Sequence, residues 1–237
     1  MTQDRISILD QRSLIKLLDR FNILLRKIRP YTPFTSLNTA WRHIDNKGKS
    51  ILDIGCGKGE PMRFINRHKQ FYSVGLDAWE PRLIGGKEQR IHDDYILCNI
   101  RNLPIKKETF DIVLCLEVLE HLEREAGLEL IRIMEGIARR QVIISTPLGQ
   151  YEQGIMDGNP YENHVYIWTP NELKQLGYKV KTFGLRRIGG KGGLSSRLPR
   201  TLKPLAALIY VLAGPFTCFL SGLAGEMVCI KRLKVEK

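Results

Sequence analysis

The 237 residues are 43% hydrophobic and 26% charged, a balance that excludes a disordered tail, a collagen-like chain and a multi-span membrane protein. Lysine and arginine number 37 against 25 aspartates and glutamates, and the net charge of +12 first suggests nucleic acid or an anionic surface as partner. The excess is regional: residues 50–172 carry fourteen basic and nineteen acidic side chains, residues 1–49 ten against four, and residues 173–225 nine against none.

Residues 1–49 read as an N-terminal helical cap. Leu14, Leu17, Leu18, Phe21, Leu24, Leu25 and Ile28 recur at three- and four-residue steps among Arg12, Lys16, Arg20, Arg26, Lys27 and Arg29, and Pro30 and Pro33 end the helix. From Ser50 the pattern changes to short apolar runs bounded by Gly, Asp, Asn or Pro. Ile51–Ile54, Tyr72–Leu76, Tyr95–Cys98, Phe110–Leu116 and Val142–Ser145 are expected as buried strands. Met62–Arg67, Pro81–Glu88 and a long stretch from Leu119 to Ala138 are expected as the helices between them. Pro170–Leu176 extends the pattern with a short helix, and Tyr178–Phe183 and Met227–Arg232 with two strands. Alternating strands and helices predict an α/β sandwich with a largely parallel sheet. The core domain is drawn at 50–184 and its final strand at 226–237.

Residues 185–225 form a basic and then apolar insertion between them. Pro204–Gly225 holds 22 residues without a charge, enough to cross a bilayer, but Gly214-Pro215 interrupts it and the last strand must return to the same sheet. Two readings stand for it: a helical hairpin covering the substrate site, or an apolar surface resting on an anionic membrane. The five cysteines (Cys56, Cys98, Cys115, Cys218, Cys229) form no C-x-x-C pair and have no histidine at ligand spacing. No disulfide framework, zinc site or other metal site is expected. Met1–Asp10 contains no apolar core of a secretory signal, so a cytoplasmic location is expected, with the membrane face as a variant.

The most informative segment is Ile51-Leu52-Asp53-Ile54-Gly55-Cys56-Gly57-Lys58-Gly59-Glu60. A buried strand enters a glycine turn that opens a helix, so backbone can approach a ligand closely. The spacing is G-x-G-x-G rather than the dinucleotide fingerprint, no G-K-[ST] follows, and Glu60 beside a helix start repels phosphate. The loop suits a nucleoside-like ligand carrying an ammonium group. The next strand ends at Asp77, twenty-two residues past Gly55, where a carboxylate can accept from both ribose hydroxyls.

These residues, with Asn102-Leu103-Pro104, Phe110-Asp111-Ile112-Val113, Glu117-Val118-Leu119-Glu120-His121-Leu122 and Gln141–Pro147, resemble the class I S-adenosylmethionine-dependent methyltransferases of the type 11 group. The resemblance covers roughly Ser50 to Leu176. It implies a Rossmann-like three-layer sandwich with a mostly parallel seven-stranded sheet and an antiparallel last strand. It also implies S-adenosylmethionine as cofactor. Asp53 would help fix the methionine amine, directly or through water. Gly55, Cys56, Gly57 and Gly59 would line the floor, and Asp77 with Ala78 would meet the ribose. Asn99 stands where the group usually has Asp for the adenine amino group, with the backbone of Ile100 facing the ring. Glu117 would lie close to the methionine portion.

Methyl transfer from a sulfonium is an in-line displacement, in which the protein aligns the acceptor and takes its proton where needed. His121 is the first candidate base, with Glu120 and His164 beside it. The expected acceptor is a small molecule or lipid. Two alternatives stand beside it. RNA methylation lacks a [DN]-P-P-[FYW] tetrapeptide, a Pro-Cys nucleophile and a recognisable RNA-binding module, and no DNA partner is expected. The other is a non-catalytic cofactor-binding protein. The basic flanks border the apolar segment, which favours an anionic surface or a lipid-like acceptor; the oligomeric state is not read from the sequence.

Overall fold

The computed structural model describes residues 31–149, 158–184 and 221–234, with a few isolated positions besides. The amphipathic helix expected over Leu14–Ile28 and the insertion up to residue 220 lie almost wholly outside the described residues, as does the question of what Pro204–Gly225 covers.

Helix α1 (Ser36–His43) precedes β1 (Ser50–Ile54), α2 (Glu60–Ile65), β2 (Tyr72–Asp77), α3 (Glu80–Glu88), β3 (Asp94–Leu97) and β4 (Phe110–Leu116). Then come α4 (Arg124–Ile137), β5 (Ala138–Pro147), α5 (Pro170–Gln175), β6 (Lys179–Phe183) and β7 (Glu226–Arg232). The seven strands form one sheet in the order β3-β2-β1-β4-β5-β7-β6. β1 to β5 pair in parallel, and β7 runs antiparallel to both β5 and β6. This is the expected Rossmann-like three-layer sandwich.

The side-chain period of two divides each central strand between two cores. Leu52 and Ile54 of β1, with Val113 and Cys115 of β4, face Leu130, Ile131 and Met134 of α4. Ile51, Ile112 and Leu114 face the opposite way, onto Ala40 of α1 and Met62, Phe64 and Ile65 of α2. Strands covered on both faces need the near-continuous apolar runs that made them legible.

Two elements differ from expectation. The helix anticipated over Leu119–Ala138 is instead a 3₁₀ turn at Leu119–His121, an extended Leu122, and α4 from Arg124. In an unbroken helix the carbonyls of Leu119 and Glu120 would accept from residues four further on. Here they are taken from outside: Trp168 Nε1 donates to Leu119 O, and the amides of Val165 and Tyr166 both donate to Glu120 O. Trp168 is fully buried, and Gly127 of α4 makes room for it, since a Cβ there would lie 2.5 Å from the indole.

β5 is also longer than Val142–Ser145, because Arg139, Arg140 and Gln141 disguise its start. Arg139 is bound to Asp111 and to the Thr109 carbonyl, and Arg140 to Asp45. Gln141, fully buried, accepts from Asp45 N and donates to His43 O, closing the end of α1. Polar side chains satisfied by long-range partners look like loop in a sequence window.

α5 begins in a capping box between Thr169 and Glu172. Burial alone would raise the Glu172 pKa, but donors from Tyr166, Thr169 and Arg124 outweigh it and hold the carboxyl below its ordinary value. A carboxyl depressed in the folded state contributes stability above its unfolded pKa and loses it as pH falls through the folded one. Glu172→Gln is therefore expected to flatten the acid limb of the stability profile below about pH 4.5, measured by urea melts across that range. An acid limb identical to the parent's would contradict this.

Candidate active site

The carboxyl ends of β1, β2, β3, β4 and β5 share one edge of the sheet, and strand order reverses between β1 and β4. In open parallel sheets such a switch point opens a crevice for a ligand. The glycine turn leaves β1 at this position.

Gly55, Gly57 and Gly59 have φ of +68°, +53° and +79°, in the left-handed region. Two of them are also sterically forced: a Cβ on Gly55 would lie 2.2 Å from Val118 Cγ2, and one on Gly59 would lie 2.8 Å from Ile91 Cγ2. Gly57 differs, since a Cβ there would meet only Arg82 Cδ at 3.8 Å. The turn is stitched to β2 by Cys56 N donating to Leu76 O at 2.9 Å and by Gly57 N donating to Asp77 Oδ2 at 2.8 Å. Cys56 is buried, and burial raises its thiol pKa far beyond reach, so it is packing rather than a nucleophile.

Asp77 is half-buried at the end of β2. Its second oxygen, Oδ1, accepts from Trp79 N at 2.8 Å, so Asp77 does not cap α3, whose N-cap is Trp79. A carboxylate offers about four lone-pair directions, of which the two backbone amides use only two. Ala78 lies beside it, half-buried. At the end of β3, Asn99 is exposed and its Oδ1 accepts from Arg101 N at 3.0 Å, holding the turn that begins at Ile100.

Asp53 is the site residue whose surroundings differ most from expectation. It is 2% exposed, and its Oδ2 lies 3.0 Å from Nε2 of the equally buried His92. The carboxylate is enclosed beneath the turn rather than presented to the crevice. Because a carboxylate only accepts, Nε2 carries the hydrogen, and Nδ1 is left buried without a partner among the described residues. His92→Ala strands Asp53 and is expected to lower the unfolding free energy by about 3 kcal/mol. A loss below about 1 kcal/mol in urea melts would mean that water replaces the imidazole.

Glu117, directly after β4, is a non-glycine residue at φ +56°, strain of the kind that collects at functional sites. Ser145 on β5 holds it: Ser145 Oγ donates to Glu117 Oε1 at 2.7 Å, and Glu117 N donates to Ser145 O. Immediately beyond it the three candidate proton carriers come together. One ligand atom from each of Glu120, His121 and His164 lies within 4.8 Å of the others. The two imidazoles meet edge to face at 5.0 Å. Burial first, then Glu117, pushes the Glu120 carboxyl well above the ordinary range. Burial and the neighbouring His121 lower the His164 pKa, so its imidazole is neutral at physiological pH.

The segment 159–168 makes this cluster possible by crossing the sheet edge. Glu162, 7% exposed, pairs with Arg82 of α3 and accepts from Asn159. Sequence reasoning flagged His164 in this stretch but missed Glu162, Arg82, His92 and Ser145. Partners that lie 80, 39 and 28 residues apart leave no local pattern.

The family model described as a methyltransferase domain, Methyltransf_11, matches residues 52–139. Over residues 52–139 the chain is thus similar to the methyltransferase domain of the type 11 group. The match holds the glycine turn, Asp77, Asn99 and Glu117 to His121; His164 lies beyond it. An uncharacterised protein of Methanocaldococcus jannaschii is 34% identical over 113 residues, 47% of this chain and 48% of that protein. A ubiquinone biosynthesis O-methyltransferase of Hahella chejuensis is 35% identical over 85 residues, 34% of this chain and 35% of that protein. The matches thus span about half or less of these relatives' own length.

Among solved structures, an S-adenosylmethionine-dependent methyltransferase of Archaeoglobus fulgidus aligns over 90% of this chain and 94% of its own at TM-score 0.51 and 16% identity. The magnesium protoporphyrin IX methyltransferase of Synechocystis, solved with S-adenosylmethionine bound, aligns over 89% and 84% at TM-score 0.53 and 13% identity. At such identities these two establish the shared fold.

Proposed function

We propose that the protein transfers a methyl group from S-adenosylmethionine to an oxygen of a small-molecule or lipid-like acceptor. The observation that carries this reading is the left-handed glycine turn tied through Gly57 to Asp77, at the switch point of a region similar to the type 11 methyltransferase domain.

The residues fit the cofactor. Asp77 keeps two lone-pair directions free beyond its two backbone donors, enough for two ribose hydroxyls. The face at Gly57, where a Cβ would meet only Arg82 Cδ at 3.8 Å, admits backbone contact. Asn99 Oδ1 and the Ile100 turn border the adenine side, and Glu117 sets a negative charge where the ammonium group would sit. Asp53 acts from beneath, by holding the turn with His92. S-adenosylmethionine supplies, when bound, an electrophilic methyl carbon on a sulfonium. The neutral His164 and its neighbour His121 can hold the proton that leaves an acceptor hydroxyl.

The likeness to ubiquinone biosynthesis O-methyltransferases supports an oxygen acceptor on a lipid-like molecule. The basic flanks are consistent with an acceptor at an anionic membrane surface. Among the described residues no helix is long and apolar enough to cross a membrane. Calorimetry with S-adenosylmethionine and S-adenosylhomocysteine, followed by transfer of labelled methyl into lipid and metabolite fractions, tests the proposal. Absence of binding would overturn it, and binding without transfer to any fraction would favour a non-catalytic role.

A further inference from the structure

The cluster beyond Glu117 contains more than a pair of histidines needs for moving a proton. Glu120 is 2% exposed and its Oε2 has no hydrogen-bond partner among the described residues. The Thr146 hydroxyl is its polar neighbour, and that oxygen too is buried without a hydrogen-bond partner among the described residues. A buried carboxyl oxygen with nothing to satisfy it is costly and calls for an explanation such as an ion.

The neighbouring histidines are held as ligands would be. His121 Nδ1 lies 3.1 Å from the carbonyl of Asn163. A carbonyl only accepts, so Nδ1 carries the hydrogen and Nε2 is left with its lone pair. A backbone carbonyl on the other ring nitrogen is the usual support of a metal-binding histidine. His164 is brought to the cluster by the two amides, of Val165 and Tyr166, that donate to Glu120 O. The same turn thus positions all three residues. Among the described residues no hydrogen bond engages the ring nitrogens of His164.

We infer that Glu120, His121 and His164 form a binding site for one divalent transition-metal ion at the acceptor side of the crevice. Two imidazoles and one carboxylate suit borderline ions such as Zn²⁺ or Co²⁺, and accept the harder Mn²⁺, better than Mg²⁺ or Ca²⁺, which prefer oxygen alone. Three protein ligands leave coordination positions open for a hydroxyl of the acceptor. The sequence alone suggested no metal site, because Glu120 and His121 are adjacent while His164 is 43 positions further on.

The role of the ion rests on the proposed methyl transfer, although its binding does not. A coordinated hydroxyl has a lowered pKa. With both imidazoles engaged by the ion, the hydroxyl's proton leaves to solvent rather than to His121 or His164, the oxygen forms a bond to the methyl carbon, and the sulfur keeps the electron pair of the broken S–C bond. The acceptor this favours is a phenol, catechol or other hydroxyl able to reach a cation.

The test uses the full chain without an affinity tag, stripped with chelator. Zn²⁺ and Mn²⁺ are titrated calorimetrically, and Co²⁺ is followed by its visible absorption. One ion per chain is expected, with affinity falling at least about 10-fold in His121→Ala and in His164→Ala. Glu120→Gln is a third variant, and if it does not fold the two histidine variants decide. Absence of binding by all three ions, or binding equal to the parent's in both histidine variants, would overturn the site. S-adenosylmethionine is titrated into the same samples. Metal binding without cofactor binding would overturn the methyltransferase reading and leave the metal site standing. Cofactor binding without metal binding would do the reverse.

Discussion

Asp77→Ala is expected to weaken S-adenosylmethionine binding by about 100-fold or more. The carboxylate can offer two directed acceptors to a pair of adjacent hydroxyls, and hydrogen bonds to a charged group contribute about 1.5–3 kcal/mol each. Losing two of them corresponds to roughly 3–6 kcal/mol, or at least two decades in affinity. The substitution also removes the acceptor of Gly57 N and Trp79 N. Stability without ligand should therefore fall as well, by about 1–2 kcal/mol. Asp77→Asn keeps one acceptor oxygen but turns an amide NH₂ toward one of those backbone donors, so an intermediate loss is expected. Calorimetry measures the affinity and a urea melt of the free protein measures the stability. Parent-like affinity in Asp77→Ala would show that the ribose is held elsewhere.

The largest effect on stability is expected at Gly55. Alanine there suffers both a left-handed φ, which costs about 1–2 kcal/mol, and a Cβ 2.2 Å from Val118 Cγ2. Overpacking adds about 1–3 kcal/mol, so Gly55→Ala should lose roughly 3 kcal/mol or more in urea melts. Gly57→Ala shares the left-handed strain but meets only Arg82 Cδ at 3.8 Å, so about 1–2 kcal/mol is expected. Val118→Ala in the Gly55→Ala background removes the methyl groups that clash. The double variant should therefore be more stable than the sum of the two single losses predicts. Strict additivity would mean that the turn, not the contact with Val118, sets the cost.

The glycine turn and the sheet edge of the candidate site were legible because their requirements are local. Three glycines in five residues mark a left-handed turn, and an aspartate at the end of the next buried strand marks a carboxylate at the sheet edge. The apolar runs of β1, β2 and β4 were equally plain, since strands covered on both faces cannot carry water-loving side chains. β5 was shortened and the Leu119–Ala138 helix was drawn unbroken for one shared reason. The groups that decide them, Asp45 and Asp111 for Arg140 and Arg139, and the 165–168 backbone and Trp168 for the carbonyls of Glu120 and Leu119, come from distant parts of the chain.

The sequence by itself determined the sheet and the glycine turn, because side-chain period, strand burial and turn geometry act over a few residues. The tertiary structure decided what those residues face. It enclosed Asp53 against His92, tied Asp77 to the glycine turn, and gathered Glu120, His121 and His164 within 4.8 Å. Such arrangements depend on contacts across tens of residues, and only packing fixes which polar groups are left with a partner and which are left waiting for one.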